Sequence, residues 1–548
     1  MEAIHLHQHH DVDPCDDDQP LPALGRELDV LLVWPRFSAS FWSLSGIMEL
    51  LPQECSHPPL GLITVAALCP PHWRLRLIDC RLQTLTDADL CGADLVMLSG
   101  MREQHDDMQD VLARARALGT RTIVGGPYAS SQPEVLQRFA DHVVVGEVDE
   151  IFGDLARDLE DGTAKRRYVV REKPDVTRTP VPRFDLLDRR KYLSMAVQFS
   201  RGCPFQCEFC DIITIYGRKP RVKSADQVIA ECDALRRLGW RGRVFIVDDN
   251  FIGNHKHALA LAGRLAEWQR EHAYPVAFMT EASMDLALHP GLIEAMVRAN
   301  FWSVFIGIES PSRESLTETK KFQNLRRDPL ECIRSIQRAG LWVTGGFIVG
   351  FDADTEDIFD RQVDFIERSA IVCAMTGFLE ALPTTPLYER LERQGRLIEG
   401  SRPRGIFKPP NFRTRMPLRT LLAGNRKTLR TIYAPAIYFA RALRSLEEWT
   451  PSECHHLPRL NVAAVLGRSF LKQGLLSSYR REYWRYLFAM VRRWRGQRKK
   501  LWLGFSMLIA AHHFVRYAYD VAAELDRELQ RLEAADAAVA PAVPAGVA

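Results

Sequence analysis

Short runs of consecutive apolar residues recur between residues 29 and 145, each followed by a longer stretch with helical periodicity. Asp29-Val30-Leu31-Leu32-Val33-Trp34-Pro35 shows no polar alternation, the mark of a strand buried on both faces. A helix follows over 60–68, then strands at 75–79 and 94–99, a polar helix ending at Leu118, and strands at 122–124 and 142–145. Strand and helix alternating at this spacing predict an α/β domain with a doubly wound parallel sheet over residues 28–166. Ligands of such sheets bind beyond the carboxyl ends of the strands. Three runs end there in Ser99-Gly100, Gly125-Gly126-Pro127 and Gly146-Glu147, where backbone can approach a bulky group.

Pro174, Pro180 and Pro182 interrupt the periodicity, so residues 167–192 read as a linker. A second alternating region covers 193–410, with strands expected at 195–199, 244–247, 276–279, 303–308, 342–349 and 377–382. That pattern predicts a partial (β/α) barrel with fewer than eight strands. Beyond it strands disappear, and 411–533 reads as a helical C-terminal domain. Residues 1–27 and the Ala-, Val- and Pro-rich 534–548 read as disordered tails.

A chain of 548 residues is too long for one core, in keeping with this division. A net charge of +3 gives no reason to expect nucleic acid as a partner. His5, His7, His9 and His10 could bind a metal or belong to a solvated tail; the segment lacks the pattern of a secretory signal. No stretch reaches the roughly 20 apolar residues of a membrane span. The expected location is therefore the cytoplasm, where the twelve cysteines should be thiols, metal ligands or catalytic groups.

The strongest chemical signal is Cys203-Pro204-Phe205-Gln206-Cys207-Glu208-Phe209-Cys210, placed just after the first barrel strand. Three thiolates at C-x3-C-x2-C spacing can hold three irons of a [4Fe–4S] cluster and leave the fourth open. Structural zinc instead takes four protein ligands, usually in paired C-x-x-C units. The other cysteines show no paired spacing and read as small core or surface thiols.

This loop resembles that of the radical S-adenosylmethionine superfamily, with Phe209 in the aromatic place before the last cysteine. The resemblance implies that Cys203, Cys207 and Cys210 ligate the cluster and that S-adenosylmethionine chelates the open iron. Further strand ends look like that family's nucleotide-binding motifs: Val247-Asp248-Asp249-Asn250-Phe251, Thr280-Glu281-Ala282, Gly307-Ile308-Glu309-Ser310 and Gly345-Gly346-Phe347. It follows that Asp248, Asp249, Glu281 and Glu309 are expected to accept hydrogen bonds from an ammonium or a ribose diol, and Gly345 and Gly346 to pack on adenine. The N-terminal domain resembles the cobalamin-binding domain of one branch of the superfamily, although a degenerate domain kept as scaffold is also open. The ligand motif Asp-x-His-x-x-Gly is absent, and residues 35–45 contain no histidine, so cobalt is expected in the His-off form. Ser99, Gly100, Gly125, Gly126, Gly146 and Glu147 would then line the corrin and its tail.

The overall order, with Ala381-Leu382-Pro383-Thr384-Thr385-Pro386-Leu387, is most similar to the hopanoid C-2 methylase group. The resemblance implies methylation of an unactivated carbon of a lipid or other small molecule, and an electron donor such as a flavodoxin or ferredoxin. A cobalamin-dependent cyclase or rearrangement enzyme and a non-catalytic cobalamin or Fe–S sensor are the alternatives. Near the C-terminus Trp484, Leu487, Phe488 and Val491 recur at helical spacing among Arg480, Arg481, Arg485, Arg492, Arg493 and Arg495, before a short apolar run at 501–511. This segment fits either peripheral contact with the inner face of a membrane or a helical cap on the barrel. His512-His513 reads as a polar patch on a helix.

Overall fold

The structure is a computed structural model that describes residues 21–400, 405, 407–456 and 462–539. Strands β1 (Asp29–Trp34), β2 (Arg74–Asp79), β3 (Leu95–Ser99), β4 (Arg121–Gly125), β5 (His142–Val145) and β6 (Arg167–Val169) form one parallel sheet. Their order is β2-β1-β3-β4-β5-β6. Alternate residues of β1 feed two separate cores. Leu31 and Val33 pack with Ile78, Val96 and the helix His105–Ala117, whereas Val30 and Leu32 pack with Leu62, Leu95 and the helix Phe152–Asp161. Burial on both faces is why β1 reads as an unbroken apolar run. The chain goes to one side of β1 for β2 and to the other for β3, which makes the crevice above β1 and β3 the topological switch point.

Two expected irregular segments are corrected. The linker 167–192 begins as β6, because Arg167, Tyr168 and Val169 complete the edge of β5. The end of the expected tail 1–27 is docked, with Leu24 and Gly25 donating their N–H groups to Leu159 and Glu160 carbonyls. The histidine-bearing residues 5–10 lie outside the described residues.

The second sheet is an open, six-stranded parallel barrel in the order β14-β13-β12-β11-β10-β7. Its strands are β7 (Ser194–Val197), β10 (Arg243–Ile246), β11 (Ala277–Ala282), β12 (Phe301–Glu309), β13 (Trp342–Val349) and β14 (Ala374–Phe378). Between β7 and β10, β8 (Ser200–Arg201) and β9 (Arg221–Val222) make a small antiparallel ladder. The third strand runs on past the expected 276–279 because Glu281 and Ala282 pair with Phe305 and Ile306 of the long β12. The sixth lies earlier than the expected 377–382. Asn411 takes both the N–H and the carbonyl of Ala381, which pulls that residue out of the ladder. The segment at Cys55 adds a parallel bridge to Tyr192, so the N-terminal domain extends the barrel sheet beyond β7.

The helices Leu418–Ile432, Pro435–Glu448, Arg480–Arg493 and Arg498–Val539 pack Leu429, Tyr433, Tyr438, Tyr486 and Met507 into the same core as the barrel strands. The apolar run 501–511 is one stretch of the 42-residue helix Arg498–Val539. That helix also continues past residue 534, so the expected C-terminal tail starts within it; 540–548 lie outside the described residues. His512 and His513 are buried rather than a surface patch. The His513 ring accepts from the Gly46 N–H and bonds the Phe41 carbonyl, tying the long helix to the loop after β1.

Candidate active site

The carboxyl ends of the barrel strands converge on the cysteine loop. Gly202, at φ +93°, leads into it, and a Cβ there would stand 2.7 Å from the Gly217 carbonyl. Cys203 donates its N–H to that carbonyl, and Cys210 donates to the Cys207 carbonyl. The loop is anchored from outside by Glu208. Its carboxylate holds Arg390 through two bonds of 2.8 and 3.0 Å, and its carbonyl accepts the Leu387 N–H. Amide N–H groups face two sulfurs: Asn250 Nδ2 lies 4.0 Å from Cys203 Sγ, and Gln323 Nε2 lies 3.4 Å from Cys207 Sγ.

Burial pushes the Cys203 and Cys210 thiols up, so without a bound cation they are held protonated. Amide N–H donors facing the sulfurs of Cys203 and Cys207 make a donor set that a cluster held by thiolates would complete. Among the described residues no group of three or more His, Cys, Asp or Glu could hold a single metal ion. Three thiols in one tight loop suit one thiolate per iron of a cubane.

The expected acidic contacts divide into two kinds. Asp248 is buried and already accepts the Phe199 N–H at 2.8 Å and the Ser200 hydroxyl at 2.7 Å, so it ties β10 to β7 and is not free for a ligand. Glu309, at φ +63°, forms a buried ion pair with Lys321 and is likewise occupied. Gly307 leaves room for this pair, since a Cβ there would crowd the Glu309 carboxylate and stand 2.8 Å from Lys321 Nζ.

Asp249 and Glu281 remain. Asp249 accepts only a 3.3 Å bond from the Gly202 N–H, and burial with help from Asp248 raises it to about 7. Glu281 accepts no side-chain hydrogen bond from a described residue, and burial and the nearby Asp249 raise it to about 8. Two neighbouring carboxyls so displaced could receive a cation, which would favour their charged forms. Lys321, which sequence reasoning missed, stands 5.9 Å from the Phe209 ring and near Cys207 and Cys210. It lies in a connecting segment after a short helix, and only the fold brings it to the loop.

On the concave side of the barrel, Phe245, Met279, Glu281, Ser303, Phe305, Trp342, Thr344 and Gly346 keep partial exposure while their strand neighbours are buried. Gly346 lies opposite Gly307, and its missing Cβ leaves room for the Phe305 ring at 2.8 Å. Gly345 points the other way, toward Ile308. The aromatic surface is extended by the N-terminal domain: Trp42 packs on Phe305 at 4.6 Å and His57 on Phe245 at 5.0 Å. His57 is pushed down to about 4 by burial, aided by Arg81, and is therefore a neutral ring at neutral pH. The guanidinium of Arg243, at the start of β10, makes no hydrogen bond or ion pair with a described residue and lies 5.5 Å from the Trp502 ring.

In the N-terminal sheet, most of the expected cofactor glycines are accounted for by packing within the domain. Gly126 makes room for the Ser99 hydroxyl, Gly100 for Met108 and Gly146 for the Val170 carbonyl; only Gly125 has ordinary space. Glu147 is not available either, since it pairs with Arg201 at 2.9 Å and Arg221 at 2.7 Å. At the switch point itself, Met101 is 46% exposed and the buried Trp34 Nε1 has no acceptor among the described residues. An open apolar crevice with an unmet donor fits a large corrin-type ligand.

The radical SAM superfamily model matches residues 197–366, the B12 binding domain model matches 54–156, and a domain of unknown function, DUF4070, matches 385–527. An uncharacterized methyltransferase of Synechocystis is 40% identical over 509 residues, covering 91% of this chain and 94% of its own length. The hopanoid C-2 methylase of Rhodopseudomonas palustris is 34% identical over 505 residues, covering 89% and 93%. Two solved structures share the fold. The radical S-adenosylmethionine methyltransferase TsrM from Kitasatospora setae, with cobalamin and a [4Fe-4S] cluster bound, has a TM-score of 0.56 at 15% identity, over 68% of this chain and 78% of its own. The cobalamin-dependent S-adenosylmethionine radical enzyme OxsB has a TM-score of 0.57 at 16% identity, over 93% and 81%.

Proposed function

Because this chain belongs to the cobalamin-dependent radical S-adenosylmethionine methyltransferases, we propose that it methylates an unactivated carbon of a lipid, with a hopanoid as the leading candidate. When bound, the cluster with S-adenosylmethionine supplies the means to break an unreactive C–H bond, and cobalamin supplies the methyl group. The residues here bind, orient and exclude water. Cys203, Cys207 and Cys210 would hold the cluster. Asp249 and Glu281 would accept the ammonium of S-adenosylmethionine, and the Gly345-Gly346 backbone would flank its adenine. The crevice above β1 and β3 would hold the corrin without a histidine from residues 35–45. A flavodoxin or ferredoxin is the class of electron donor that this chemistry requires.

The observation that carries the lipid reading is the concave aromatic face, Phe245, Phe305 and Trp342, closed over by Trp42. Such a surface suits a rigid apolar body, since ring-on-ring contact needs no hydrogen bonds from the ligand. Arg243 opens β10 and Asp249 lies six residues on, just past its carboxyl end, at most about 20 Å away for extended chain. The preferred substrate is therefore elongated, with a polar end far from the methylated carbon. The relative's hopanoid substrate has the same class of apolar body. No observation favours a cyclase or a sensor. Lipid mass spectrometry of a host with and without the gene, grown on methyl-deuterated methionine, tests the reading. A labelled lipid heavier by one methylene is expected; a labelled water-soluble product with an unchanged lipid profile would refute it.

The cation receptor makes a pH prediction. Glu281 titrates at about 8 in the fold against an ordinary 4.5, so the folded state binds the proton more tightly than the unfolded chain. Wild-type stability should then fall as pH rises from 4.5 to about 8 and level off above it. Glu281→Gln should lack this fall. In thermal melts without S-adenosylmethionine, the variant should gain on wild type by about 3 kcal/mol between pH 5.5 and 8.5. S-adenosylmethionine should narrow that gap in wild type alone. Parallel pH profiles would exclude Glu281 as the receptor.

A further inference from the structure

Among the described residues fifteen large apolar side chains are exposed, and six of them crowd into residues 470–491. They are Phe470, Leu471, Leu475, Leu476, Phe488 and Val491, at 44%, 51%, 48%, 73%, 67% and 41% exposure. Two elements carry them, the π-helical turn Phe470–Leu475 and the helix Arg480–Arg493. These are locked into one unit: Trp484 Nε1 donates to the Gly474 carbonyl at 3.0 Å, and the Trp484 ring lies 5.6 Å from Phe470 and 5.5 Å from Phe488. Tyr483, Tyr486 and Met490 use the opposite side of the helix to join the core. The helix Arg480–Arg493 is thus apolar on two sides, one covered by the protein and one bare. A helix needs only the first for folding, so the second calls for a partner.

Charge identifies the class of partner. Residues 470–500 contain ten Lys and Arg and a single acid, Glu482. That is a net +9 in a chain whose total is +3, so the remainder carries −6. Arg480, Arg481, Arg485, Arg492 and Arg495 are exposed and make no side-chain ion pair or hydrogen bond with a described residue. Their guanidinium groups surround the apolar tip without neutralising it. Arg493 differs, since it already pairs with Glu447.

We infer that this unit is a docking surface for an anionic lipid bilayer, with the apolar tip entering the acyl boundary and the arginine rim on the phosphates. A bare apolar tip ringed by unpaired cations matches a surface that is apolar inside and anionic outside. No helix among the described residues is long and apolar enough to cross a membrane, so the contact is peripheral. The unit also leads toward the concave face. Lys472 pairs with Glu49, and Arg468 holds the Leu51 carbonyl, in the same loop that presents Trp42. The inference rests on these exposures and charges and not on the identity of the substrate.

Flotation of the cluster-loaded full chain with vesicles tests it. Vesicles of phosphatidylcholine alone are compared with 7:3 phosphatidylcholine and phosphatidylglycerol (roughly the anionic content of a charged leaflet). Binding to the anionic vesicles should exceed binding to the neutral ones at least tenfold and weaken steeply as salt is raised, because screening acts on the arginine rim. Leu475→Asp with Leu476→Asp and Phe488→Asp should weaken it at least tenfold. Replacing Arg480, Arg481, Arg485, Arg492 and Arg495 by Ser should do the same and remove the salt dependence. Both variants should keep wild-type cleavage of S-adenosylmethionine, which shows that they fold. Equal binding of wild type to both vesicles, or undiminished binding of the variants, would overturn the inference. So would a wild-type dimer that both variants dissolve while vesicle binding is absent, which would make the tip an interface between two copies of this chain.

Discussion

Replacing Cys203, Cys207 and Cys210 together by Ala should leave a folded protein with no cluster iron and no methyl transfer. Wild type reconstituted without oxygen should carry about four irons per chain. The loss should be complete because three thiolates are the whole protein contribution to such a cluster. The fold should survive because the loop is held by other means. Glu208 and Arg390 clamp its middle, the Gly217 carbonyl holds Cys203 N–H, and the Glu208 carbonyl takes Leu387 N–H. Removing three small thiols, two of them with pKa values that burial pushes up in the empty loop, should cost the empty protein little. Iron and sulfide analysis with a thermal melt separates the two effects. A triple variant that retains four irons would refute the assignment of the loop.

Arg201→Met should unseat the two cofactor domains from each other. Arg201 stands two residues before Cys203, and its guanidinium is buried between Glu147 at 2.9 Å and Asp149 at 2.7 Å, both from the connection after β5. Arg221 of β9 takes the other oxygen of Glu147 at 2.7 Å. Removing one partner of a buried pair leaves charge without compensation and costs about 3–5 kcal/mol. The expected result is a first melting transition moved sharply down, with cobalamin and iron both bound more weakly. Arg201→Met combined with Glu147→Leu and Asp149→Leu should recover part of the stability, because the stranded carboxylates are then gone. A single variant that melts like wild type would show that the buckle contributes nothing. Deleting residues 1–170 should unsettle the barrel as well as remove the N-terminal domain. It would strip the Cys55 bridge from β7 and the Glu147 partner from Arg201.

Much of the architecture was legible from local pattern alone. Unbroken apolar runs such as 29–35 identified two-sided burial, and the regular interval between runs identified parallel strands with helical crossovers. The cysteine spacing pointed to its own chemistry, because a tight loop needs no distant residue to bring three thiols together. Asp249 and Glu281, picked out by their place at strand ends, are acids that the fold leaves without a charged partner among the described residues. At other strand ends the fold adds what sequence position does not show, namely whether a polar group already has a partner. Asp248 bonds Phe199 and Ser200, Glu309 pairs with Lys321, and Glu147 bridges to the barrel. Gly100, Gly126 and Gly146 proved to make room for their own domain.

What the tertiary structure alone decided lies in contacts between residues far apart in the chain. Trp42 on Phe305, His57 on Phe245 and Arg390 on Glu208 join segments 263, 188 and 182 residues apart. No periodicity records such pairs, because each depends on how whole domains pack. The C-terminal segment shows the division most sharply. Its amphipathic spacing and arginine content were visible in the sequence, but which apolar face it buries was not. The fold turns Tyr483, Tyr486 and Met490 inward and leaves Phe470, Leu476 and Phe488 bare. A sequence specifies that a helix has apolar sides, and only the packing of its neighbours determines which of them meets protein.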